Sequence, residues 1–243
     1  MGSSRSACAR ASKALVAEIE RRSPPVAIPF HVRLLLRAVQ ARDRRTLSRL
    51  QRAHPGVSLD PTASTNLAVA RWELEPGARV VVEAGVVAER MPGALRIHVA
   101  RGGELRIGEG TWLRTEVADL QIVVYPGARV EIGPEGFLNG CALSAKTGIH
   151  CGRRVWFGPG TRVYDSDQHD IDAETPERSE AVRVGDYTWV ASGVTVLKGA
   201  SIGSHCVVGA HSLIGGEVPD HSLAFGVPAR VRGTVGDRST VLP

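Results

Sequence analysis

Aliphatic residues recur every six positions through the C-terminal half of the chain. Val184, Val190, Val196, Ile202, Val208 and Ile214 are each six apart, and Cys151, Phe157 and Val163 extend the series upstream. A small residue usually follows, as at Gly185, Ala191, Gly203, Gly209 and Gly215, with Leu197 the exception, and upstream Gly152 and Gly158 follow Cys151 and Phe157. A second inward series lies four residues along and includes Val155, Thr161, Val194, Ala200 and Cys206. Six is neither the helical period nor that of a plain strand. It predicts a mainly β solenoid of short strands joined by turns, each with a small residue where the backbone bends sharply. Neighbouring coils would stack and pair their backbones lengthwise around a narrow aliphatic column. The motif PGxRV recurs at Pro76–Val80, Pro126–Val130 and Pro159–Val163, so the repeat is expected from near residue 67, degraded until about Gly103.

The N-terminal quarter of the chain follows another pattern. From His31 to Ala53, apolar residues at Val32, Leu35, Leu36, Val39, Leu47 and Leu50 trace one stripe, and arginines occupy much of the rest. This predicts a basic amphipathic helix, separated by Pro24, Pro25 and Pro29 from a shorter helical stretch around Ser12–Glu20. The reading is a helical extension over 1–60, a solenoid over 61–233 and a C-terminal tail over 234–243. The helical stripe is expected to pack on its own domain, because Trp and Phe anchors are missing; peripheral contact with an anionic membrane is the secondary reading.

Charge and composition sharpen this division. The formal net charge of +5 splits into +8 over positions 1–60 and −3 over the remainder. Aromatic residues make up 5% of the chain and hydrophobic residues 43%, which suits a narrow column and excludes a disordered chain. No apolar run approaches a membrane span of about 18 residues, and no secretory stretch opens the chain. The four cysteines show no CxxC pairing, so neither zinc nor a disulfide framework is indicated and a reduced, cytoplasmic setting is expected. No nucleic-acid motif is present. The N-terminal Met1–Ser6 run formally fits a myristoylation pattern, too short and common to carry weight.

The hexads break once, between Val163 and Val184. The loop over 165–181 holds seven acidic residues, one His and almost no apolar content. Exposed loops on rigid scaffolds often carry function. His169 is the natural general base, since an ordinary imidazole can accept a proton near neutral pH.

The [LIV]-G-x-x-x-x hexads and the Phe225-Gly226-Val227-Pro228-Ala229-Arg230 run resemble the hexapeptide-repeat acyltransferases. The likeness is greatest to maltose and galactoside O-acetyltransferases and to polysaccharide O-acetyltransferases. The resemblance implies a left-handed parallel β-helix, assembly as a homotrimer and acetyl-CoA bound in grooves between subunits. The Tyr164–Asp172 segment is similar to the family's catalytic-His segment, which implies His169 as base. Phe137-Leu138-Asn139 is similar to F-[IL]-N, upstream of the base at the spacing of the maltose and galactoside enzymes, which implies that Asn139 positions acceptor and base. Asp167 or Asp172 would orient the imidazole or bind acceptor hydroxyls. On the donor side the resemblance implies Trp189 and Ser192 from W-[IV]-[GA]-S, Ala210 from V-G-A-x-S, and Arg230 near the nucleotide end. One departure stands out: Gly215-Gly216-Glu217 replaces the usual Thr-Lys before the Val218-Pro219 pair.

The expected activity is acetyl transfer from acetyl-CoA to a hydroxyl of a sugar or glycan-like acceptor. N-acetylation of an amino sugar and a non-catalytic scaffold are the alternatives. A carbonic-anhydrase-type zinc site is disfavoured, because His205 and His211 are six apart where that family has a pair five apart; no metal is expected.

Overall fold

The computed structural model describes residues 29–242. The expected stretch at Ser12–Glu20, Pro24, Pro25 and the Met1–Ser6 run lie outside them. The described residues fall into two compact units, one ending at Arg42 and the other running from Asp43 to Val241. A helix spans Phe30–Ala53, close to the predicted His31–Ala53. In the second unit its last turns bring Leu47 against the core, while buried Asp43 receives the Arg90 guanidinium on both carboxylate oxygens. No described helix is long and apolar enough to cross a membrane.

The second unit is a column with three sheet faces, visited in the same order in every coil. The first face runs from Val57–Leu59 to Glu217–Val218, the second from Val87–Ala88 to Ser222–Gly226, and the third from Arg71–Leu74 to Leu213–Ile214. Their strands pair in parallel, and only Ala229–Thr234 turns back antiparallel, onto Ser222–Gly226. Val57–Leu59 is the first rung, just upstream of the Pro61 boundary read from composition. Both hexad series point inward: Val190, Val196, Val208, Val155, Val194 and Ala200 are fully buried. Phe157 is the largest wholly enclosed side chain, whereas Trp112 and Trp189 sit on the outside of the second face. The small residue after each inward aliphatic has a steric reason: a Cβ at Gly158 would lie 2.6 Å from the Ser192 nitrogen one coil above.

Coil length varies along the column. Val184 aligns with Ile202, Val190 with Val208 and Val196 with Ile214, so this upper coil is three hexads long. The next is slightly shorter, with Ile202 on Val218. In the lower coils Val80 aligns with Leu105 and Leu105 with Val130, a longer and equally regular repeat. Strands there are longer, as at Leu95–Val99 and Leu120–Val124, which is why the six-residue period fades below Gly103. The PGxRV motif at Pro76 and Pro126 enters first-face strands two coils apart, with Gly77 and Gly127 at φ +83° and +72°. The copy at Pro159 leads instead into the third-face strand Arg162–Tyr164, so the motif encodes a left-handed corner and not a fixed face.

Candidate functional site

The polar loop leaves the column after Arg162–Tyr164 on the third face and re-enters at Val182–Val184 on the first. Cys151 and Val184 are register partners across the whole loop, whereas Val184 reaches its own partner Ile202 in three hexads. The loop is therefore added to a complete coil and replaces none of it. Its base is closed by a bridge between Ser166 and Ser179, by the Glu180 N–H on the Asp165 carbonyl (2.8 Å) and by the Asp167 N–H on the Arg178 carbonyl (3.0 Å). Farther out, the Asp170 carboxylate accepts the Glu177 N–H at 2.7 Å, and Asp172 accepts the N–H groups of Glu174 and Thr175 at 2.9 and 2.8 Å.

His169 is exposed, and its imidazole hydrogen-bonds to no described residue. It follows Gln168, a non-glycine residue at φ +74°. That conformation is costly for an L side chain, and functional segments are where such strain collects. The carbonyl of Gln168 is held by the Lys146 ammonium at 3.1 Å, and the Gln168 amide donates to Ser166 Oγ at 2.6 Å.

The two acids expected to serve His169 are engaged elsewhere. Asp167 pairs with Lys198 and accepts the Arg178 N–H at 3.2 Å; the Lys198 hydrogen bond, followed by that N–H, holds its carboxyl below the ordinary carboxylate value. Asp172 is likewise held down, by hydrogen bonds from Thr175 and Glu174. Glu177, which the sequence did not single out, pairs with Lys146 at 2.7 Å, and that bond lowers its pKa.

Asn139 ends the second-face strand Phe137–Asn139, immediately before the corner at Gly140. It is 9% exposed, and its Oδ1 is buried without a partner. Along this corner the backbone stacks coil on coil, Gly160 N–H to Gly140 O, Gly193 N–H to Pro159 O and His211 N–H to Ser192 O, at 2.8, 2.9 and 3.0 Å. Asn139, Ser192 and Ala210 therefore line one corner, between the second and third faces. Ser192 and Ala210 are both exposed there. The loop bearing His169 departs from another corner, between the third face and the first. His205 and His211, weighed as a zinc pair, also stand at different corners, and no described cluster of three His, Cys, Asp or Glu side chains could hold a metal.

Trp189 lies on the second face, in register with Trp156 of the coil below, and is 42% exposed. Arg238 covers both rings, its guanidinium carbon 5.2 Å from the Trp156 centroid and 5.8 Å from that of Trp189. The segment read as a tail packs here. The Arg238 N–H donates to His205 Nδ1 and its Nε to the Tyr187 carbonyl, at 3.1 and 3.0 Å, and Arg154 holds the Ser239 carbonyl at 2.7 Å. The Tyr187, His205 and His221 rings stack beside it, with centroids 5.0 and 4.7 Å apart. Arg230 lines a cleft of about 410 Å³ at the end of the column, together with Gly215, Gly216 and Glu217.

Residues 181–216 match the family described as Bacterial transferase hexapeptide (six repeats). The chain is 28% identical over 152 residues to a probable acetyltransferase of Mycobacterium tuberculosis, covering 60% of this chain and 47% of that one. It is 31% identical over 118 residues to galactoside O-acetyltransferase of Lactococcus lactis, covering 46% and 56% respectively. Among solved structures, the polySia specific acetyltransferase NeuO superposes with a TM-score of 0.64 at 20% identity, over 77% of this chain and 81% of that one. The chain thus spans about half the length of the curated relatives it matches. These likenesses agree with the hexads: residues 181–216 match a hexapeptide-repeat model, and the fold is a left-handed parallel β-helix like that of the acetyltransferase it superposes on.

Proposed function

We propose that this chain transfers an acetyl group from acetyl-CoA to a hydroxyl of a sugar or glycan-like acceptor, with His169 as general base. The observation that carries the reading is the uncommitted imidazole of His169, presented on a tied loop at the one long interruption of the upper column. The names of the relatives support the acceptor class, one being a galactoside O-acetyltransferase and one a polySia specific acetyltransferase. In the proposed step the imidazole takes the acceptor hydroxyl proton while that oxygen bonds to the thioester carbonyl carbon. The resulting tetrahedral intermediate expels the CoA thiolate, which recovers the proton from the imidazolium. The Ser192 N–H faces the developing oxyanion, where a fixed donor is worth most. Ala210 flanks the pantetheine arm, Trp189 lines the groove and the Arg230 guanidinium meets the nucleotide end.

Because Asn139, Ser192 and Ala210 share one corner and His169 departs from another, the site closes when a second copy offers its loop to that corner. The assembly proposed is a homotrimer. The deciding experiment is acetyl-CoA consumption against nucleotide sugars, oligosaccharides and amino sugars, run with the wild-type chain and with His169→Ala. Turnover in the variant is expected to drop by roughly 10²–10⁴-fold with the fold and oligomer intact. Near-normal turnover overturns the assignment, and acetylation of amino sugars alone overturns the hydroxyl acceptor.

A further inference from the structure

We infer that Lys146 and Lys198 form a two-sided clamp that positions His169, an inference that rests on the reading of His169 as the base. The first observation is compositional. Of the 30 Lys and Arg residues only three are lysines, Lys13, Lys146 and Lys198. Lys13 lies outside the described residues, so both lysines of the column reach the same loop, while arginine supplies every other described Lys-or-Arg cation.

The second observation is where they stand. Lys146 follows the third-face strand Ala142–Ala145 in the coil beneath the loop, and Lys198 follows Thr195–Val196 on that face in the coil above. Each occupies the corner from which the loop departs. Lys198 pairs with Asp167 on the outgoing arm. Lys146 grips both arms, donating to the Gln168 carbonyl at 3.1 Å on the outgoing side and to Glu177 at 2.8 Å on the returning side. The Gln168 carbonyl belongs to the peptide unit whose nitrogen is that of His169, so this bond fixes the base at its own backbone. It also restrains Gln168 at φ +74°. The Lys146 ammonium sits 5.0 Å from the Tyr125 ring centroid, which orients its stem.

The third observation is chemical. An ammonium is a compact charge with three tetrahedral donors, able to serve a carbonyl and a carboxylate that face it from different directions. A planar guanidinium prefers acceptors lying in one plane. The Lys146 and Glu177 side chains are 23% and 25% exposed, and those of Lys198 and Asp167 are 31% and 19% exposed, so both pairs are more sheltered than ordinary surface ion pairs. Each lysine is neutralised by a loop acid, and the clamp fixes position with little change in charge around the imidazole.

The test uses the full chain with Lys146→Met, Lys198→Met, the double variant and Lys146→Arg. Trypsin cleavage after Arg178, an exposed loop residue, is followed by mass spectrometry and needs no ligand. The double variant should be cut there at least roughly 10-fold faster while its thermal midpoint moves by only a few degrees. With the acceptor that gives wild-type turnover, Lys146→Met should lower kcat by roughly 10–100-fold with KM for both substrates within about two-fold, the signature of a misplaced base. Lys146→Arg should recover part of that loss. Unchanged cleavage in the double variant overturns the clamp. Faster cleavage with unchanged kcat, or a rise in KM alone, overturns the positioning role. Faster cleavage in the double variant together with an active His169→Ala keeps the clamp and removes the base assignment instead.

Discussion

Asp165 offers the most quantitative test of how the column accommodates its loop. In the coil below the loop's departure, only Lys146 and Thr147 separate the strand ending at Ala145 from the one starting at Gly148. One coil lower the same corner is longer, Tyr125–Ala128, with Gly127 in the left-handed conformation. The tighter corner aims three consecutive N–H groups at one point, and the Asp165 carboxylate sits there with no solvent exposure. It accepts from Lys146, Thr147 and Gly148 at 2.7, 2.7 and 2.6 Å. Successive amides of this kind form a nest for an anion. Asp165→Ala removes the anion and leaves three donors in the space of a lost side chain. Hydrogen bonds to a charged group contribute about 1.5–3 kcal/mol each, and partial hydration of the vacated space offsets some of the loss, so about 4–6 kcal/mol is expected. Asp165→Asn keeps one acceptor oxygen but turns an NH2 toward an N–H, for a loss of about 2–3 kcal/mol. Guanidinium unfolding of the three proteins side by side measures both values. At about 2–4 °C per kcal/mol, Asp165→Ala should also melt roughly 10–20 °C lower. A loss under about 1 kcal/mol for Asp165→Ala, less than one charged hydrogen bond contributes, would refute the argument that this corner depends on an anion.

Acid should release the loop in a defined window. The carboxyls of Asp167 and Glu177 are held below the ordinary range by hydrogen bonds from Lys198 and Lys146, so the order they confer is complete above their unfolded values near 4 and fades as pH falls through the lower folded values. Hydrogen exchange over 165–181, corrected for intrinsic rates, should show protection constant from pH 7 to 5 and declining below about pH 4; a decline between pH 7 and 5 would point to a different group. Arg238→Ala should uncover Trp156 and Trp189 and shift tryptophan emission to the red by several nanometres, and an unchanged spectrum would mean that the C-terminal segment does not lie on these rings in solution.

The upper column was readable because each hexad repeats one local instruction, an inward aliphatic followed by a residue small enough for the next coil to approach. Val184 through Ile214 obey it except after Val196, where Leu197 stands, and their burial follows. The lower coils obey a different count. Longer turns and strands stretch each coil beyond three hexads, so a six-residue ruler loses phase although Val80, Leu105 and Val130 still stack. The glycines at 77, 102 and 127 carry that longer repeat, each at positive φ, and PGxRV marks only alternate members. In the loop, residue type pointed to His169 but could not assign the acids, because whether a carboxylate orients an imidazole or ties down a backbone depends on which amides the folded chain presents. The C-terminal segment left no periodic trace, since it is held by single long-range contacts of Arg238 with two rings, a carbonyl and an imidazole.

The acids of the loop are the point at which the structure changes the chemical picture most. Asp165, Asp167, Asp170, Asp172 and Glu177 all accept bonds within the loop or from its flanking coils, whereas the His169 imidazole accepts and donates none among the described residues. Five acids of a cluster that composition marks as a pool of general acids and bases serve as ties, and the imidazole at its edge is left uncommitted. Under the acyl-transfer reading, orientation of that ring falls to groups meeting the loop from outside, the acceptor itself and the edge of a second copy. The loop contributes position, through the Lys146 bond to the Gln168 carbonyl, and leaves the ring nitrogens to the substrate. A rigid column suits that division, because its corners hold Lys146 and Lys198 one coil below and one coil above the loop, and neither can drift without disturbing a stack of inward aliphatics.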